Sequence, residues 1–196
     1  MTFANFLQLA PREDLWIFGY GSLMWAPGFR YRERWPAFVH GYHRSLCVYS
    51  HRYRGTPKRP GLVVGLCPGG SCWGIAYRVA GARARGVLEY LWRREMRNRV
   101  YVPQFVSART ARARAVRALA FIANDEHPQF AGDLDAGRMA RLVANGSGER
   151  GHNVDYLRRT LAHMHELGVP DPHFERVLRD ALALRERRRT RENPGK

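Results

Sequence analysis

Residues 16–25 read Trp16-Ile17-Phe18-Gly19-Tyr20-Gly21-Ser22-Leu23-Met24-Trp25. With Leu15 ahead of them, Trp16, Ile17 and Phe18 make a short apolar run that Gly19 stops, the pattern of a buried strand. Gly19 and Gly21 then let the backbone adopt tight or positive-φ conformations. Tyr20–Leu23 is therefore expected to be a loop whose backbone N–H groups can face an anion. It is not a Walker loop, because no Gly-Lys-Ser/Thr follows, and not a nucleophile elbow, because Ser22 lacks the flanking glycine pattern. A plain strand exit accounts for the same residues.

Working outward, strands are predicted at Arg44–Ser50, Gly61–Leu66 and Cys72–Val79, the last two separated by a turn at Pro68-Gly69-Gly70. Arg83–Arg97 changes to helical spacing, with Leu88, Leu91 and Trp92 three and four apart. Strand character returns over Val100–Val106 and Val116–Ala123. Helices follow at Asp135–Ala144, at Val154–Leu167 with Val154, Leu157, Leu161 and Met164 on one face, and at Phe174–Leu184 after Pro170 and Pro172. A chain of 196 residues suits one domain over 1–196. About the first 13 residues and Arg185–Lys196 are expected to fray.

Hydrophobic residues make up 45% and charged residues 26%, which excludes a disordered chain. No apolar run is long enough to span a bilayer and Met1–Ala10 has no basic lead-in to a secretory segment, so the protein is read as cytoplasmic. Cys47, Cys67 and Cys72 are read as reduced thiols. No second cysteine pair or ordered histidine spacing completes a metal site around Cys67 and Cys72, and His40, His43 and His51 would be scattered by strands and loop. The net charge of +16 invites a nucleic-acid partner. It is almost entirely arginine, however, Lys58 and Lys196 being the two lysines, as a GC-rich coding sequence would produce unaided. The basic connection His51–Pro60 is accordingly read as a solvated loop.

Glu95 is the most informative acidic residue. It lies three after Trp92, four after Leu91 and seven after Leu88, so its carboxylate continues the apolar stripe and points inward. Burial makes such a group costly to ionise and a plausible proton carrier near neutral pH. An ion pair with Arg99, four residues on, is the alternative reading of the same spacing.

These segments together resemble the ChaC family of γ-glutamylcyclotransferases. The matching stretches are Trp16–Trp25, Gly41-Tyr42-His43-Arg44, Arg54-Gly55-Thr56-Pro57, Gly70–Tyr77 and Leu91–Met96, in order and at fitting spacing, with further likeness at Pro128–Gly132 and Asn153–Leu157. The resemblance implies a mixed α/β chain with the γ-glutamylcyclotransferase-like fold: a small β-barrel, surrounding helices and a helical C-terminal part. Carried over by position, Tyr20, Gly21, Ser22 and Leu23 would hold the γ-glutamyl group, Glu95 would be the catalytic glutamate, and Tyr101 and Tyr156 would contact substrate. Met96–Val100 departs from the family, which is usually more glycine-containing or less basic there, so substrate preference is open to change.

The implied activity is cleavage of glutathione to 5-oxoproline and Cys-Gly in glutathione catabolism, a lyase reaction. The γ-glutamyl α-amine attacks its own γ-carbonyl carbon, which requires no protein nucleophile, ATP, metal or other cofactor. Two rival readings stand beside it: the same chemistry on other γ-glutamyl amino acids or amines, and a noncatalytic basic module binding nucleic acid. The first would change the pocket rather than Glu95.

Overall fold

In the computed structural model the described residues are 1–8, 10 and 13–192. Leu15–Gly19 is a strand, β1, with all five residues buried. An apolar run without alternation has this outcome when both strand edges and both faces are covered. β1 pairs antiparallel with β3 (Gly61–Val79), Ile17 opposite Tyr77, and parallel with β5 (Ala115–Ala123), Ile17 opposite Leu119. With β2 (Glu33–Ser50) and β4 (Tyr101–Thr110) the strands close into a barrel in the order β1-β3-β2-β4-β5, so the mixed α/β fold with a small barrel is met.

β3 departs from the expected pair of strands. Pro68-Gly69-Gly70 does not reverse the chain, and Gly69 (φ 92°) and Gly70 (φ 70°) are taken up inside one strand. The Arg32 N–H bonds the Arg78 carbonyl at 2.7 Å, and the His43 ring of β2 lies 3.0 Å from the Gly69 carbonyl oxygen, so β3 runs beside β2 at the glycines. Consecutive left-handed glycines bend a strand as a bulge does, and here they curve the ribbon.

The chain divides into two compact units, Met1–Ser45 with Gly65–His127 and Leu46–Val64 with Pro128–Lys196. In the first, α2 (Gly81–Glu95) buries Ala84, Val87, Leu88 and Leu91 in a core with Ile17, Tyr77 and Phe121. The N-terminal residues, expected to fray, include a short helix, α1 (Phe3–Leu7), in which Thr2 caps the Asn5 N–H at 3.2 Å. Its Phe6 is fully buried, with ring centroids 5.3 Å from Trp92 and 6.4 Å from Phe121. Phe3, with its ring also 5.3 Å from Trp92, is a second aromatic contact holding this segment down.

Asp14 ties the start of β1 to the start of α2. Its carboxylate accepts the Gly81 N–H at 3.0 Å and pairs with Arg78 at 2.7 Å and Arg32 at 3.1 Å. The Gly81 hydrogen bond, aided by the two arginines, holds its pKa below the ordinary 3.8. A depressed carboxylate stabilises the fold above its unfolded pKa, and that contribution disappears as pH falls through the folded value. Asp14→Asn should therefore lower Tm at pH 7, with the gap to wild type closing below pH 3.8, as thermal melts across pH would record.

The second unit holds α3 (Ala136–Asn145), α4 (Asn153–Glu166), α5 (Pro172–Glu192) and a two-stranded ribbon, β6 (Ser147–Gly148) and β7 (Gly151–His152). Met139, Val143, Val154, Leu157, Leu161, Phe174 and Val177 form its interior with Leu46 and Leu62. α5 starts where Asp171 caps the Phe174 N–H at 3.0 Å. It runs on past Leu184, through residues expected to fray, as far as Glu192; Asn193–Lys196 lie outside the described residues.

Asn153, at the start of α4, is fully buried and acts as a strand partner for Leu62. Its Oδ1 accepts the Leu62 N–H at 2.6 Å and its Nδ2 donates to the Leu62 carbonyl at 2.7 Å. Truncation leaves both backbone groups without their partner in the interior, which costs more than a net hydrogen bond gains. Asn153→Ala should lose about 2–4 kcal/mol in urea unfolding.

Candidate active site

Tyr20–Leu23 leaves β1 as a tightly held loop. Tyr20 is buried, and its hydroxyl donates to the Phe121 carbonyl. Its own carbonyl accepts from Arg44 Nε at 2.6 Å, while Arg44 Nη2 donates to the Trp73 carbonyl at 2.5 Å. Ser22–Met24 makes one 3-10 turn, closed by the Met24 N–H on the Gly21 carbonyl at 2.8 Å. Beneath it the Tyr77 hydroxyl reaches the Leu23 and Met24 carbonyls, each at 2.8 Å, and burial pushes this phenol up to about 12, so it serves as a neutral donor. Among the described residues, the N–H groups of Gly21, Ser22 and Leu23 meet no acceptor.

The glycines serve differently from the expectation. Gly21 has φ −129°, so no left-handed residue is needed there. At Gly19 the reason is space, since a Cβ would sit 2.9 Å from the Leu23 Cβ where the turn folds back on the strand. The Leu23 side chain is buried in the core cluster.

Glu95 is the last residue of α2, and its side chain is 16% exposed, as the stripe of Leu88 and Leu91 required. Its cationic partner is Arg94 Nε at 2.8 Å, in place of Arg99. The helix has ended before Arg99, which sits at φ 59°, so the four-residue alignment is lost.

Arg94 was not singled out from sequence, yet it organises the site. Its side chain is 7% exposed. Beyond Glu95, its Nη2 donates to Ser22 Oγ at 2.8 Å, and its Nη1 reaches the Ala26 carbonyl at 2.5 Å, the Pro27 carbonyl at 3.2 Å and the Tyr90 hydroxyl at 2.8 Å. One rigid guanidinium thus spans the carboxylate and the loop, a task for which lysine lacks the fork. The signal in the sequence was adjacency to Glu95 and spacing of four from Tyr90; its partners in 22–27 lie roughly seventy residues away and leave no local trace.

A family model described as ChaC-like protein matches residues 15–183. The chain belongs to the ChaC-like family. It is 37% identical over 166 residues to a protein of Escherichia coli K12 named glutathione-specific gamma-glutamylcyclotransferase, covering 83% of this chain and 72% of the relative. The human protein named glutathione-specific gamma-glutamylcyclotransferase 1 is 35% identical, with 86% of this chain and 81% of that one covered. Among solved structures, a yeast gamma-glutamyl cyclotransferase specific to glutathione shares the fold with TM-score 0.82 at 22% identity, covering 89% of this chain and 98% of that one.

The remaining site candidates of this ChaC-like chain fall in different places. Tyr101 opens β4 opposite Ala123, six residues after Glu95 and in the same unit. Tyr156 belongs to the other unit, where its hydroxyl accepts the Val64 N–H at 3.1 Å and the Arg54 guanidinium lies 5.5 Å over its ring. In the divergent stretch 96–100, Arg99 occupies the left-handed region that glycine adopts without steric cost.

Proposed function

We propose that this protein is a γ-glutamylcyclotransferase that converts glutathione to 5-oxoproline and Cys-Gly, with Glu95 as base and then acid. The observation that carries the reading is the Arg94 guanidinium bridging the Glu95 carboxylate and Ser22 of the loop, both at 2.8 Å. A proton acceptor and a run of unspent N–H donors are thereby held on either side of one rigid group.

The substrate supplies its own nucleophile. A reference α-amine titrates near pH 8, so at neutral pH it must give up a proton before attacking. The Glu95 carboxylate takes that proton and passes it to solvent, the amine nitrogen bonds to the γ-carbonyl carbon, and Glu95 then takes the second proton from the nitrogen made cationic by the new bond. As the tetrahedral centre collapses, the bond to the cysteinyl nitrogen breaks and Glu95 returns the proton to that nitrogen. The N–H groups of Gly21, Ser22 and Leu23 suit the two negative charges on offer, the substrate α-carboxylate and the developing oxyanion. Holding the γ-glutamyl chain in its ring-closing shape lowers the barrier further, by about 7–11 kcal/mol in favourable intramolecular reactions. Tyr20 shapes the loop, and Tyr101 and Tyr156 enter the reading as substrate contacts by family likeness.

The test is incubation of purified protein with glutathione in the absence of ATP, following 5-oxoproline and Cys-Gly by mass spectrometry, with Glu95→Gln alongside. Both products from wild type alone are expected. Cleavage of γ-glutamyl dipeptides but not glutathione would reassign the substrate, and inertness toward every γ-glutamyl compound would overturn the reading.

A further inference from the structure

The second unit contains a cleft of about 710 Å3, within the size range of small-molecule sites. Lys58 and Arg59 line it from the loop after β2, Arg138 and Arg141 from α3, and Arg188 from α5, over a floor that includes Pro60 and Leu142. Among the described residues, none of those lining it is acidic. Elsewhere in this unit exposed Arg52, Arg158 and Arg189 pair with Glu149, Asp155 and Glu186, while among the described residues exposed Arg159 and Arg187 are scattered singly without a carboxylate. Among the described residues, Lys58, Arg59, Arg138 and Arg141 have none. Gathering like charges in a concavity is unfavourable unless an anion neutralises them.

The walls are fixed in advance. The loop closes on itself through the Thr56 N–H to the Arg59 carbonyl at 3.0 Å and the Arg59 N–H to Thr56 Oγ1 at 3.1 Å. At Gly146, the C-cap of α3, a Cβ would lie 2.6 Å from the Arg54 carbonyl oxygen, so helix and loop are in close contact there. Arg185 Nη1 donates to the Ala144 carbonyl at 3.1 Å and binds α5 to α3. The loop read from sequence as merely solvated is therefore one rigid wall of a basic cleft.

We propose that this cleft binds a small polyphosphate, either inorganic or carried by a nucleoside whose base would rest on Pro60 and Leu142. Arginine forks match phosphate oxygens bidentately, and cations converging from three segments on one open cleft suit a compact polyanion better than an extended strand. The site is separate from Glu95 and stands whether or not the proposed reaction does.

Isothermal titration of the full chain at near-physiological salt with tripolyphosphate, ATP and sulfate tests this, since salt suppresses diffuse attraction to a chain of net charge +16. Tripolyphosphate should bind one to one and sulfate far more weakly. Arg138→Gln/Arg141→Gln, both exposed on α3, should weaken tripolyphosphate about ten-fold or more, roughly one charge-assisted contact. Arg176→Gln/Arg179→Gln, an equal loss of charge on α5 outside the cleft, should change it less than about two-fold. ATP tighter than tripolyphosphate would identify the nucleoside form, and equal affinity the inorganic one. Equal weakening by both double variants, no binding, or tighter binding of a single-stranded oligonucleotide through Arg138 and Arg141 would each overturn the proposal.

Discussion

Glu95→Gln should lower kcat for 5-oxoproline release by about a thousand-fold, the middle of the range for loss of a positioned acid/base. KM should change little. The side-chain amide keeps the volume of the carboxylate, and its oxygen can still accept the Arg94 Nε bond now made at 2.8 Å. What it lacks is a site basic enough to take the amine proton. Two readouts separate chemistry from folding: initial rates by mass spectrometry, and urea unfolding, in which the variant should stay within about 2 kcal/mol of wild type because the hydrogen bond survives and only its ionic part is lost. A variant with near-wild-type turnover would remove Glu95 from the mechanism. One that unfolds would leave the kinetics uninformative, and Glu95→Asp, which keeps the charge but withdraws it by a methylene, would then carry the test through partial activity.

That Glu95 was readable from sequence, while its partner was not, follows from the range of the interactions. The spacing of Leu88, Leu91 and Glu95 lies within two turns of one helix, so local periodicity suffices to orient the carboxylate. Arg94 reaching Ser22, Arg44 reaching Tyr20 and Trp73, and Asn153 reaching Leu62 join residues 24 to 91 positions apart. Single-sequence patterns carry no record of such pairings. β1, β4, β5 and four of the helices were legible from hydrophobic pattern, but closure of the strands into a barrel entered through family likeness. α5 was cut short because Arg185–Glu192 has no apolar stripe; helix-favouring arginines and glutamates, with Glu186 and Arg189 paired at 2.7 Å, continue it instead. At Pro68-Gly69-Gly70 the usual turn signal failed because a bulge in a long curved strand asks for the same positive φ.

Arg94→Met should have a double effect, losing about 3–5 kcal/mol of stability and about a hundred-fold of kcat/KM. The stability loss has a definite source. With the side chain 7% exposed, removing the guanidinium leaves the Glu95 carboxylate, 16% exposed, without this cation, and the Ala26 and Pro27 carbonyls without their donor. The activity loss comes from geometry, because Ser22 and Glu95 are no longer held by one group. Arg94→Lys distinguishes the two. It restores a charge beside Glu95 and so most of the stability, yet an ammonium cannot serve Glu95, Ser22 and Ala26 at once. Its turnover should therefore stay depressed while its urea midpoint recovers. A cycle with Glu95→Gln adds an internal check: in that background Arg94→Met strands no carboxylate, so its stability cost should shrink by about 2 kcal/mol. If Arg94→Lys turned over glutathione like wild type, the guanidinium would be a support for the helix end alone, and the loop would have to find its place over Glu95 through Arg44 and Tyr77.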